Sequence, residues 1–171
     1  MPKILTFEMR QDDPGKCTSA KMRRLGFARR VSRGGISRNA IVLNPTANEL
    51  VSRSDKQFIE KGGIVVIDCS WKKAGDVFDA RFNGQQRKLP ALLAGNPTNY
   101  AKIGSLSSLE AVSACLYITG FKKQAEKLMS IYKWGDTFLT LNHEPLEEYS
   151  KSESQEEIKE AEISFFPILS S

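Results

Sequence analysis

Apolar residues in the first half of the chain come in short runs, each closed by turn formers. Ile4-Leu5-Thr6-Phe7-Glu8-Met9 predicts a short strand, and Asp12-Asp13-Pro14-Gly15 a turn after it. Thr18 or Ser19 can cap a helix beginning near Ala20, with Met22, Leu25 and Phe27 as a partial stripe and Gly34-Gly35 as its break. Ala40-Ile41-Val42-Leu43-Asn44-Pro45-Thr46 predicts a buried strand that ends in a turn. Ser54-Asp55-Lys56-Gln57 opens a short helix that stops at Gly62-Gly63. The run Gly63-Ile64-Val65-Val66-Ile67-Asp68-Cys69 is then the continuous apolar kind found in parallel sheets covered on both faces. A short helix at residues 71–78 and a strand-like stretch, Leu89-Pro90-Ala91-Leu92-Leu93-Ala94, follow.

From Ser107 the period changes to that of helices. Ser107 as a cap, Glu110 as an early acid and the apolar positions through Ile118 predict a helix closed by Gly120. A second helix runs from Lys122 to about Tyr132, and a third from Asp136 toward Glu148. There are no internal repeats. The expected class is α/β, with an N-terminal α/β domain over residues 1–92 and a mostly helical C-terminal domain over residues 93–171.

Composition narrows the class further. Apolar residues make up 40% and charged residues 26%, the balance of a globular protein with a core of its own. No apolar run approaches the ~18–20 residues that cross a bilayer, and Glu8 falls where a signal peptide would need an apolar stretch. No membrane partner is expected. Cys17, Cys69 and Cys115 are too widely spaced for a disulfide framework or zinc knuckles, and His143 is the single histidine. The expectation is a cytoplasmic protein with reduced thiols and no metal.

Charge changes the picture more. The net value is +5, but it is unevenly spread. Between Lys16 and Arg38 stand Lys16, Lys21, Arg23, Arg24, Arg29, Arg30, Arg33 and Arg38, with no acid among them. From Glu144 to Glu162 there are eight acids against Lys151 and Lys159, a net of −6, which leaves +11 on residues 1–143. A field of that sign attracts polyanions, so the basic segment is a candidate nucleic-acid surface, or else a solvated helix face. The acidic tail suits an exposed helix face or a flexible end. Its apolar terminus, Ile163-Ser164-Phe165-Phe166-Pro167-Ile168-Leu169, can dock on the body of the protein or on a partner.

Four segments gather turn residues at the ends of apolar runs: Cys17-Thr18-Ser19, Leu43-Asn44-Pro45-Thr46, Asp68-Cys69-Ser70-Trp71 and Gly95-Asn96-Pro97-Thr98-Asn99-Tyr100. Loops beyond strand ends can offer backbone N–H and C=O groups to a small ligand. No Gly-x-Gly-x-x-Gly or Walker-type loop is present to cradle phosphates. Backbone groups with Leu43, Pro45 and Trp71 would suit an adenosine carrying little phosphate. The alternative is ordinary Asn-Pro turns and a Trp71 that belongs to the core.

The ordered set Cys17-Thr18-Ser19-x-Lys21, Leu43-Asn44-Pro45, Ile67-Asp68-Cys69-Ser70-Trp71, Arg87-Lys88-Leu89-Pro90 and Gly95-Asn96-Pro97-x-Asn99-Tyr100 resembles the small-subunit rRNA aminocarboxypropyltransferase family. Leu106-Ser107-Ser108-x-Glu110-Ala111 and Trp134-Gly135-x-x-Phe138-x-x-x-Asn142 continue it, so that it covers about residues 3–150 and leaves the acidic tail outside. The resemblance implies a SPOUT-like fold with a deep trefoil knot. It implies S-adenosylmethionine as group donor, no metal, and transfer of the 3-amino-3-carboxypropyl group to N3 of a pseudouridine, N1-methylated or not. The partner would be small-subunit rRNA or the pre-ribosomal small subunit.

By the same resemblance Leu43, Pro45 and Trp71 line the adenine pocket, and the backbone at Ile67 holds the ribose. Backbone groups at Leu92 and Gly104 read the adenine edge. Thr18 and Ser108 hold the donor's carboxylate, with Ser108 standing where relatives often carry Thr. Asp68 meets the α-amino group, a binding residue first and a candidate catalytic base second. Lys16, Lys21, Arg23, Arg24, Arg29, Arg30 and Arg33 are the expected RNA contacts.

Overall fold

The computed structural model describes residues 1–8, 18–68 and 82–170, with Asp68 described by its backbone. The expected strand end at Met9, the turn at residues 12–15, the helix at residues 71–78, and Lys16, Cys17, Cys69, Ser70 and Trp71 lie outside them. The chain forms two compact units. One comprises Met1–Glu49 and Gln57–Lys88, the other Leu50–Lys56 and Leu89–Ser171.

The first unit is built on a parallel sheet of β1 (Ile4–Glu8), β2 (Arg29–Arg30), β3 (Ile41–Leu43), β4 (Ile64–Asp68) and β5 (Gln85–Arg87), in the order β2-β1-β4-β3-β5. The unbroken apolar run makes β4 the middle strand. Ile64 through Ile67 are all buried, as a strand covered on both faces must be. Alternation divides the side chains. Leu5, Val42, Val65 and Ile67 join Ile36, Ala40 and Phe82 in one core cluster, onto which Phe7 and Val31 pack. The ring of Phe7 meets Phe82 edge to face at 5.3 Å. Parallel strands share a carboxyl edge. Leu43 of β3 and Asp68 of β4 end there, and Asp68 is in register with Glu8 of β1.

The predicted basic helix is shorter than its charge pattern. The helix α1 spans Thr18–Arg24 only. Gly26 takes φ +83°, and the N–H groups of Gly26 and Phe27 bond back to the Arg23 and Met22 carbonyls, the closing pattern of a helix with glycine just past its end. Arg29 and Arg30 then form the edge strand β2 instead of further helical turns. On the opposite side of the sheet, Gln85-Gln86-Arg87 carries no apolar signal. It becomes a strand because β3 offers an edge: Gln85 N–H bonds to Ala40 O at 2.8 Å and Asn44 N–H to Arg87 O at 2.8 Å. The helix α2 (Lys56–Gly62) belongs to this unit from Gln57 onward.

The second unit is helical: α3 (Ser108–Ile118), α4 (Lys122–Met129), α5 (Gly135–Leu141), α6 (His143–Lys151) and α7 (Gln155–Phe165). The helix α3 begins where expected, with Ser107 Oγ accepting from Glu110 N–H and the Glu110 side chain reaching back to Ser107 N–H. The expected third helix is two. Pro145 has no N–H for the Leu141 carbonyl, so the chain breaks at Asn142. The acidic tail is a capped helix, not a loose end: Ser154 Oγ accepts from Glu157 N–H, and Ile158 is buried. Phe166 is buried, whereas Ile168 and Leu169 are exposed.

The strand expected over Leu89–Ala94 does not form. Its single ladder contact is the antiparallel bridge Leu93–Ile103. Side chains satisfy much of this backbone. Glu162 accepts from Ala91 N–H at 2.8 Å, Tyr149 donates to Ala91 O at 2.9 Å, and the Asn142 amide both accepts from Leu93 N–H and donates to Leu93 O at 2.8 Å. Such partners come from residues 49 to 71 positions away, which no local pattern reveals.

Candidate functional site

Open parallel sheets bind ligands beyond the carboxyl ends of their strands. In the first unit that edge brings together Leu43, Ile67 and Asp68 on the neighbouring strands β3 and β4. Ile67 points its side chain into the core cluster, which leaves its backbone as the part a ligand can use. Pro45 is exposed just past the end of β3. Asn44, buried beside it, shapes that turn: its Oδ1 accepts from Thr46 N–H at 2.9 Å and Thr46 Oγ1 at 2.8 Å, and its Nδ2 donates to Gln86 at 3.2 Å. An Asn that folds onto the backbone two residues on is a local turn device. Its signal, Asn44-Pro45-Thr46, was in the sequence, but the role of the side chain was not.

Thr18 is the first residue of α1, half-buried and engaged in an interaction of its own. From the same helix Arg23 reaches across β1, donating to Thr6 Oγ1 at 2.9 Å and pairing with Glu8. Arg30 reaches the other Glu8 oxygen at 3.1 Å but stays largely in solvent. The expected basic cluster therefore divides. Arg23 is an internal partner of the sheet. Arg24, Arg29 and Arg30 are exposed, and Arg33 lies over the Phe82 ring at 4.7 Å from its centroid.

In the second unit Leu92 and Gly104 are brought together across a small hairpin, where Gly104 N–H donates to Leu92 O at 2.9 Å. Ala94 N–H bonds to Lys102 O at 3.0 Å and Ala101 N–H to Ala94 O at 2.7 Å. In a regular antiparallel ladder, residues paired as Leu92 and Gly104 are would exchange both bonds. Among the described residues the return bond, Leu92 N–H to Gly104 O, is not made. One donor and one acceptor are thus left side by side. Ser108 opens α3 four residues further on.

The loop that follows Ala94 is held by Glu110, whose carboxylate is fully buried. Its Oε2 accepts from Gly95 N–H at 2.7 Å and Asn96 N–H at 3.2 Å. Its Oε1 accepts from Asn96 Nδ2 at 2.7 Å and Ser107 N–H at 2.9 Å. The motif Trp134-Gly135-x-x-Phe138-x-x-x-Asn142 is the other side of this scaffold. Phe138 and Asn142 are fully buried, and Asn142 clamps Leu93. Nothing local to these positions announces such a role. The capping-box spacing of Ser107 and Glu110 was the one legible signal. Among the described residues no three His, Cys, Asp or Glu side chains gather into a metal-binding group, and no helix is long and apolar enough to cross a membrane.

Residues 41–166 match the family described as "Ribosome biogenesis protein, C-terminal". Two curated relatives, both named 16S rRNA aminocarboxypropyltransferase, are similar over nearly their whole length. The protein of Methanocaldococcus jannaschii is 42% identical over 166 residues, 96% of each chain. That of Methanosarcina mazei is 48% identical over 155 residues, 88% of this chain and 87% of its own. A solved structure of the SAM-dependent rRNA:acp-transferase Tsr3 from Vulcanisaeta distributa superposes with a TM-score of 0.86 at 37% identity, covering 98% of this chain and 97% of that one. The likeness runs through α7, so the acidic tail lies inside the family and not beyond it.

Proposed function

This chain belongs to the 16S rRNA aminocarboxypropyltransferases, and from that premise we propose that it transfers the 3-amino-3-carboxypropyl group of S-adenosylmethionine to N3 of a pseudouridine in small-subunit rRNA. The carrying observation is the carboxyl edge of the sheet, where Leu43, Ile67 and Asp68 end neighbouring strands in the place open α/β sheets use for ligands. The half-made pair of Leu92 and Gly104 supports the same reading, since an N–H donor beside a C=O acceptor matches adenine N1 and the adenine amino group. The sheet order, with β4 between two strands that precede it in the chain, is compatible with a SPOUT-like knot, which we hold as part of this reading.

The donor supplies a sulfonium, whose attached carbons are activated and whose leaving thioether is neutral. The protein's share is orientation. Leu43 and Pro45, with Trp71 from outside the described residues, give the adenine an apolar wall. Backbone at Ile67 takes the ribose. The Thr18 and Ser108 hydroxyls take the carboxylate. Asp68 takes the α-amino group, and it is the carboxylate best placed in sequence to receive the N3 proton. Held by these residues with its amino-acid arm toward the RNA, the donor would offer that arm to in-line attack, for which a near-attack distance of about 3–3.5 Å is needed. The exposed Arg24, Arg29 and Arg30 supply phosphate contacts to the rRNA.

Incubation with small-subunit rRNA and donor labelled either in the carboxyl carbon or in the methyl tests the proposal. The carboxyl label is expected on the RNA. Methyl label alone would make the protein a methyltransferase. Neither label, together with no calorimetric heat from the donor, would make it a non-catalytic rRNA-binding factor.

A further inference from the structure

The segment 91–96 is held by side chains from distant helices as well as by its backbone bonds to residues 99–104. Asn142 takes both backbone groups of Leu93, and Glu110 takes the N–H groups of Gly95 and Asn96 together with the Asn96 amide. Asn142 Nδ2 also donates to Phe138 O at 2.9 Å, which ties the segment to α5. Glu110 and Asn142 are both fully buried. With its neighbours committed in this way, residue 92 has no freedom to slide and close the second bond to Gly104. Among the described residues the donor and acceptor there stay unjoined.

We propose that Glu110 and Asn142 are positioning residues that set nucleobase specificity, by holding Leu92 N–H and Gly104 C=O apart for the edge of adenine. The inference rests on the reading of Leu92 and Gly104 as the adenine-facing pair. All four partners of Glu110 are N–H donors, so a glutamine there satisfies one side and sets its own NH₂ against the other. Asn142→Ala leaves Leu93 with neither partner. A hypoxanthine base inverts the pattern of adenine, placing an acceptor where the amino group was and a donor at N1. A site built around one donor and one acceptor rejects that inversion because both of its groups would be left unpaired.

The full-length protein is titrated calorimetrically with S-adenosylmethionine and with its inosine-containing analogue, well below the melting temperature. The wild type is expected to prefer the adenine form by about 100-fold or more. Glu110→Gln and Asn142→Ala are each expected to bind S-adenosylmethionine about tenfold more weakly and to cut the preference to about tenfold or less. Affinity for rRNA is expected to stay unchanged. A merely structural role would lower both affinities together and keep their ratio. Wild-type protein that binds neither form, or both equally, defeats the reading of the adenine-facing pair. Wild-type discrimination retained within about twofold in both variants overturns the positioning role. Should both variants fail to fold, Asn96→Ala, which removes the Nδ2 bonds to Glu110 and Ser105 and the bond that Oδ1 accepts from Asn99 N–H, takes their place: reduced discrimination supports the positioning role, and full discrimination overturns it.

Discussion

A Cβ at Gly135 would overlap the carbonyl oxygen of Met129, a backbone atom that cannot rotate away. The turn between α4 and α5 therefore closes only on glycine, and Gly135→Ala is expected to destabilise the protein by about 3 kcal/mol, as overpacking does. Chemical denaturation with an unchanged m-value checks it. At Glu147 the determinant is charge. The Tyr117 hydroxyl donates to it at 2.5 Å and Lys122 Nζ at 3.1 Å, and together they hold its carboxyl below the ordinary glutamate value near 4.5. A depressed carboxylate stabilises the fold at neutral pH and loses that contribution as pH falls below about 4.5 and through its own folded value. Glu147 is partly in solvent, so Glu147→Gln is expected to cost only about 0.5–1 kcal/mol at neutral pH. The same variant should lose less stability than wild type between roughly pH 5 and pH 3, which melting curves across pH would register.

At the scale of elements, α7 converts a run of acids into a structural strap of the second unit. Gln155 pairs its amide with the Leu50 backbone, accepting from N–H at 2.9 Å and donating to O at 2.8 Å, and Glu162 accepts from Ala91 N–H. Gln155→Ala removes both of these bonds to Leu50 and is expected to cost about 2 kcal/mol. Ser154→Ala removes the cap and is expected to cost about 1 kcal/mol. Urea unfolding of each single variant measures these. Because Glu162 of α7 binds Ala91, next to Leu92, loosening α7 should also weaken donor binding. A Gln155→Ala protein that is less stable but keeps full S-adenosylmethionine affinity would confine α7 to stability.

For the molecule as a whole, the dominant sequence feature is the separation of charge. Structure decides which basic residues face solvent. Arg24 and Arg29 are exposed, whereas Arg23 is committed to Thr6 and Glu8. Reversing Arg24 and Arg29 to Glu is expected to weaken rRNA binding and to flatten its salt dependence by about 0.7–0.9 in log–log slope for each phosphate no longer neutralised. Donor affinity and melting temperature should hold. Arg23→Glu places a second carboxylate beside Glu8 and should instead lower the melting temperature. Equal effects of the two changes, read by filter binding across salt and by thermal denaturation, would mean that the surface cluster does not contact RNA.

What the order of residues determined alone is considerable, because it rests on local physics. The unbroken run Ile64–Ile67 read as a strand covered on both faces, Ser107 with Glu110 read as the opening of a helix, and Gly120 as its end. The ordered motifs identified the family. Other signals were present but are plain only beside the fold, such as Gly26 as a helix stop and Pro145 as a break after Leu141. Tertiary structure alone decided the rest. Gln85–Arg87 became a strand because β3 offered an open edge. Leu89–Ala94 failed to become one because Asn142, Tyr149 and Glu162 supplied its partners from afar. Hydrogen-bond needs of the backbone are the same in every chain, but which distant side chain meets them depends on how the helices pack, and that is written in no local window.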